Sequence, residues 1–214
     1  MSTQTIPITV TNWFEVYSAN TEATKSFYSQ VFGWTYSSMP MGPERTYWMI
    51  QKGEEAFAGI MDLSDPQMEG VPPHWGIYLD TQDCAATLAK VTELGGTVVY
   101  GPMSIPDIGV VGGFTDCCGA HVNVHEPAGE RKELVPGAVN WVEQMGPSRE
   151  SAVKFYTTLF GWGTIDHEMG DGVGTYTLFT IGEGESTHSV AGCMTVPDPS
   201  MPPCWLVYLH SDNL

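Results

Sequence analysis

The stretch "NWFEVYS" alternates in polarity, which predicts a strand over 12–18 with Trp13, Glu15 and Tyr17 on one face. The period then changes. From Thr21 to Phe32 apolar residues recur at helical spacing and stack Ala23, Phe27 and Val31 on one side, with Asn20 placed to cap the start and Gly33 to stop the end. Strand-like runs follow at "RTYWMIQKG" and "AFAGIMDL", parted by a turn at Gly53. The same order of elements returns in "PHWGIYLDTQDCAATLAKVTELGGTVVYGPM". There a strand over 74–79 leads into a helix that carries Cys84, Leu88 and Val91 and closes at Gly95 and Gly96. Strands at "TVVYGPM", "GVVGGFTD" and "AHVNVHE" complete this second unit.

A third unit repeats the first without a gap. "NWFEVYSANTEATKSFYSQVFGW" returns as "NWVEQMGPSRESAVKFYTTLFGW", matching Asn12 to Asn140, Trp13 to Trp141, Glu15 to Glu143, Phe27 and Tyr28 to Phe155 and Tyr156, and the closing Phe-Gly-Trp. A fourth unit opens at "PPCWLVYLHSDNL", an echo of "PPHWGIYLDTQD", and is expected to be incomplete because the sequence runs only to Leu214. The pattern predicts an α+β fold of repeated βαβββ units, forming curved mixed β-sheets with helices on the outside. The expected division is a first module at 1–128, a polar linker at 129–137, and a second module at 138–214 holding one unit and the first strand of another.

Composition narrows the partners. With 25 acidic against 8 basic residues the net charge is −17, which repels nucleic acid phosphates and anionic lipid, so neither partner is expected. The five cysteines form no even framework and no CxxC pair, and the N-terminus has neither a basic nor an apolar leader region. A reduced, cytoplasmic chain is expected. The adjacent pair Cys117-Cys118 has no basic neighbour in sequence that would lower a thiol pKa.

The paired units, opening with "WFEV…FYSQVFGW" and closing with "TDCCGAHVNVHEP", resemble the vicinal oxygen chelate superfamily, also called the glyoxalase, bleomycin-resistance and dioxygenase family. Within it the two-module, hydroxylase-like branch is the most similar, given "PHWGIYL", "GGTVVYGPM" and the FGW after the first helix. The resemblance implies a cleft between units and a divalent ion held by His and Glu from their first and last strands. It puts those positions at Trp13, Gly59, His74 and Asn123, and in the second module at Trp141, Gly192 and Cys204. Only His74 is a good ligand, so a site without a tightly held metal is preferred. The metal alternative is a shifted set of His74, Glu15, His121 and His125, all reachable by strand alternation.

His74 and Glu15 are the candidate catalytic pair, with the imidazole as general base or as anchor for a substrate oxygen and Glu15 as its orienter. Trp13, Tyr17, Trp48, Tyr78 and Asn123 are the candidate ligand-binding residues, the rings offering a stacking floor. Phe27, Tyr28, Phe32 and Trp34 are expected in the core beneath the helix. The expected function is binding of a small metabolite in the first module's cleft. The alternatives are a metal-dependent lyase, isomerase or dioxygenase, and an inactive truncated paralogue. The incomplete second module predicts a homodimer, which would cover its open sheet.

Overall fold

The structure is a computed structural model that describes residues 11–41, 45–129, 135, 137–170 and 172–211. The first unit runs β1 (Thr11–Ser18), α1 (Thr21–Phe32), β2 (Thr35–Pro40), β3 (Thr46–Lys52) and β4 (Glu55–Asp62). The second runs β5 (His74–Asp80), α2 (Cys84–Glu93), β6 (Thr97–Ile105), β7 (Gly109–Thr115) and β8 (His121–Pro127). The third runs β9 (Val139–Gly146), α3 (Arg149–Phe160), β10 (Gly163–Glu168), β11 (Thr175–Ile181) and β12 (His188–Thr195), and β13 (Cys204–Leu209) follows. Most of the expected linker lies outside the described residues.

Local chemistry sets the boundaries of the helices. Asn20 accepts a hydrogen bond from the Ala23 amide at 3.0 Å, and Ser148 does the same for Ser151 at 3.2 Å. Gly33 and Gly161 end α1 and α3 in the left-handed region at φ 67° and 73°, which only glycine enters without strain.

The first two units share one curved eight-stranded sheet, ordered β2-β3-β4-β1-β5-β8-β7-β6, so β1 and β5 meet at its centre. They pair antiparallel, with Trp13 opposite Tyr78, Glu15 opposite Gly76 and Tyr17 opposite His74. On the outer side β4 lies parallel to β1 and β8 parallel to β5. The third unit makes a five-stranded sheet, β10-β11-β12-β9-β13, in which β13 repeats the role of β5 by setting Cys204 opposite Met145 and Tyr208 opposite Trp141.

Even-numbered β1 residues face the core: Phe14 and Val16 are buried with Ile50, Ile60, Ile77, Val122 and Val124. The two modules share this core, since Phe155 of α3 packs on Phe114 of β7 at 6.0 Å. A carboxylate completes the joint. Asp116, 4 % exposed, accepts from the Cys118 and Ala120 amides (2.8 and 3.0 Å) and from Gln144 Nε2 and Tyr156 Oη across the boundary (both 3.0 Å).

One expected core group departs from this. Trp34 is buried and Tyr28 and Phe32 are half-buried, but Phe27 is 57 % exposed and Val31 53 %. The Ala23–Phe27–Val31 stripe is therefore not the packed side of α1. Their repeat partners Phe155 and Leu159 are 2 % and 8 % exposed, because α2 and β7 cover α3 and no described element covers α1 in the same way.

Candidate functional site

The concave face of the first sheet is built around one carboxylate. Glu15 is 4 % exposed, and its oxygens accept from Tyr47 Oη and Tyr78 Oη, each at 2.8 Å. Tyr17 lies beside the carboxylate, and Trp13 Nε1 donates to Tyr47 Oη at 2.9 Å. Burial pushes the Glu15 carboxyl above the ordinary carboxylate range, and the phenol donors pull against that rise. The same burial, with Glu15 beside them, holds the phenols of Tyr17, Tyr47 and Tyr78 protonated.

Two glycines make the room. A Cβ at Gly59 would lie 1.7 Å from Tyr47 Oη, and one at Gly76 would lie 2.9 Å from the Tyr17 ring. Beside the carboxylate a second polar group is set by β8. Asn123, fully buried, accepts from Tyr100 Oη at 3.0 Å, sits 3.2 Å from His121 Nε2, and donates to the Ile77 carbonyl at 3.3 Å. Burial lowers the His121 pKa, the Asn123 bond opposes this, and His74 nearby adds to the lowering, so the ring is favoured as neutral.

His74 stacks on Tyr17 with centroids 4.2 Å apart and planes 8° from parallel. Its Nδ1 lies 2.8 Å from the Pro72 carbonyl, an atom that can only accept, so Nδ1 carries the proton and Nε2 is the nitrogen left for a ligand. Pro72, not Glu15, therefore orients the ring, which corrects the expected pairing.

Trp48 also departs from expectation. It packs under Lys25 of α1 at 3.5 Å, on the helix-covered side of β3, and its neighbour Tyr47 takes the concave position. Adjacent strand residues face opposite ways, so the one-residue choice decides the matter. Trp13, Tyr17, Tyr78 and Asn123 do fall on the concave face. Tyr47 and Tyr100 were not anticipated. A signal for Tyr47 existed in the Thr-Tyr dipeptide shared by β3 and β11.

The second module repeats the arrangement. Trp141 Nε1 donates to Tyr176 Oη (2.8 Å), Tyr176 Oη to Glu143 (2.6 Å) and Tyr208 Oη to the other Glu143 oxygen (3.2 Å). A Cβ at Gly192 would meet Tyr176 Oη at 1.8 Å.

These residues do not fit a divalent ion. Gly59 has no donor and Tyr47 fills its space, Asn123 already spends its oxygen on Tyr100, and Trp13 Nε1 only donates. The shifted set does not assemble either. His125 is bound to Asn12 (3.0 Å) and the Ile108 carbonyl (3.1 Å), Glu15 is enclosed by phenols, and among the described residues no three His, Cys, Asp or Glu side chains converge. Cys117 and Cys118, with sulfurs 3.9 Å apart, have thiols raised by burial, Cys118 to about 12, which leaves them poor nucleophiles.

A family model described as the Glyoxalase/Bleomycin resistance protein/Dioxygenase superfamily matches residues 11–124. A Mycobacterium tuberculosis protein named "Putative glyoxylase CFP32" is 31% identical over 206 residues, covering 94% of this chain and 77% of that protein. The anthracycline biosynthesis protein DnrV of Streptomyces peucetius is 27% identical over 168 residues, 72% of this chain and 61% of DnrV. Among solved structures, the Mn(II)-bound glyoxalase from Novosphingobium aromaticivorans aligns with TM-score 0.60 at 17% identity, over 93% of this chain and 64% of that one. An extradiol ring-cleaving dioxygenase from B. fuscum aligns with TM-score 0.58 at 14% identity, over 89% of this chain and 54% of that one. The chain thus spans under two thirds of the length of either solved structure.

Proposed function

Because the chain belongs to the Glyoxalase/Bleomycin resistance protein/Dioxygenase superfamily, we propose that its first-module cleft binds a small, partly aromatic or polar metabolite without a tightly held metal ion. The observation that carries this reading is the Glu15 cluster: a buried carboxylate whose donors are phenols, at the place where the family resemblance calls for metal ligands. Trp13, Tyr17 and Tyr78 supply rings for stacking, and the half-buried His121, held by the buried Asn123, supplies a polar contact for a ligand oxygen. His74, through Nε2, is the group suited to accept or give a proton on that ligand, while Glu15, enclosed by phenols, holds the rings in place. The relative named for anthracycline biosynthesis accords with an aromatic ligand. We propose a cytoplasmic location, which the five free thiols favour.

Elemental analysis of protein purified without chelator tests the reading. The expected result is far less than one ion per chain. A stoichiometric ion that His74→Ala removes would overturn it and favour the second reading, a metal-dependent lyase, isomerase or dioxygenase, which the likeness to a Mn(II)-bound glyoxalase supports.

A further inference from the structure

We infer that the turn between β7 and β8 carries a second binding site, apart from the Glu15 cleft, in which Cys117 and Cys118 together chelate a monosubstituted trivalent arsenical. The two sulfurs lie 3.9 Å apart, and both residues are free thiols, Cys117 exposed and Cys118 half-buried.

The backbone of the turn keeps this pair open. Asp116 accepts from the Cys118 and Ala120 amides at 2.8 and 3.0 Å, its own amide donates to the Ala120 carbonyl at 2.9 Å, and Gly119 donates to the Asp116 carbonyl at 3.0 Å. Gln144 and Tyr156 hold the other carboxylate oxygen from the second module. The cysteines therefore sit on a frame tied at both ends. The peptide between them is trans, which sets their Cα atoms about 3.8 Å apart. A disulfide ordinarily needs Cα atoms at least about 4.4 Å apart, so the pair does not close on itself unless the frame moves. An atom placed between the two sulfurs meets no such obstacle.

Geometry selects that atom. Two sulfur bonds of about 2.3 Å, the length of a zinc–thiolate bond, span 3.9 Å at an angle of about 115°. A linear two-coordinate ion would instead want its sulfurs about 4.6 Å apart. Structural zinc takes four donors, and among the described residues no three His, Cys, Asp or Glu side chains gather around one point. A bent, thiophilic centre that brings its own third substituent fits these limits. Monosubstituted trivalent arsenic is such a centre, being pyramidal and needing only two thiols from the protein.

The exchange balances without a redox partner. The arsenical arrives with two hydroxyls; two As–O bonds break, two As–S bonds form, each thiol proton leaves with a hydroxyl as water, and arsenic stays trivalent. Burial raises the pKa of both thiols, which slows reactions that need free thiolate. Here the departing hydroxyl takes the proton with it. In the free protein those protons are directed at the Ser151 and Ser148 carbonyls, each 3.5 Å from its sulfur at the N-terminal end of α3, and only these two weak contacts are given up.

The probe is phenylarsine oxide, added to the full chain and followed by native mass spectrometry and by thiol titration after unfolding. One phenylarsine per chain is expected to survive an excess of glutathione, which strips arsenic from single thiols, with the loss of two titratable thiols. Cys117→Ser and Cys118→Ser are each expected to lose the adduct in glutathione, with unchanged circular dichroism. Cys204→Ser, which removes a half-buried thiol elsewhere, and His74→Ala should both keep it. No adduct surviving glutathione in the wild type, or an adduct that persists in either Cys117→Ser or Cys118→Ser, overturns the inference. Loss in Cys204→Ser or in His74→Ala also overturns it, because the arsenic is then held at another place; neither result bears on the metal content that tests the proposed function.

Discussion

Glu15 couples the cluster to pH. The unfolded chain releases this proton near the ordinary 4.5, while burial makes the folded protein hold it to higher pH. Over that window the native state binds more protons, so stability falls as pH rises. Glu15→Gln carries no charge at any pH, and its melting temperature relative to wild type is expected to climb between about pH 4.5 and neutrality, read by differential scanning fluorimetry. His121 has the opposite sign. Its lowered pKa means the folded state binds fewer protons, so the stability it allows is present above the ordinary 6.5 and lost as pH falls below it. Asp116 is a different kind of carboxylate, enclosed by four donors that all lose their acceptor in Asp116→Ala. The expected cost is about 3 kcal/mol in urea unfolding, with Asp116→Asn milder because one oxygen remains for the two amides.

The twin helices α1 and α3 carry the same Phe-Tyr pair and the same Gly stop, yet one is half-uncovered and the other is core. Substituting the matched phenylalanines measures that difference. Phe155→Ala is expected to cost about 3–5 kcal/mol, and Phe27→Ala less than about 1 kcal/mol, by equilibrium denaturation of each variant. This contrast also marks how far the sequence could be read. Helix limits were legible because Asn20 and Gly33 act locally, and the order of strands was legible because the repeat prints it more than once. Burial of the Phe27 face was not, since it depends on a neighbouring unit and not on the helix itself. In β3, adjacent Tyr47 and Trp48 are equally suited to a strand, and only the register against β4 decides which one reaches Glu15. The Asp116 joint escaped notice for the same reason: its partners are 28 and 40 residues away.

For the whole molecule, the five-stranded sheet ends at β13, which pairs with β9 on one side and with no described strand on the other. Both sheets share one further trait with a long reach. The tyrosine hydroxyls that hold Glu15 and Glu143 occupy the space a side chain would need at Gly59 and Gly192. Installing an acidic ligand at either glycine alone would collide with the phenol, and removing the phenol alone would strip a donor from a buried acid. A metal ligand at either glycine would therefore need two coupled substitutions in its half, so the tyrosine-filled arrangement is self-locking.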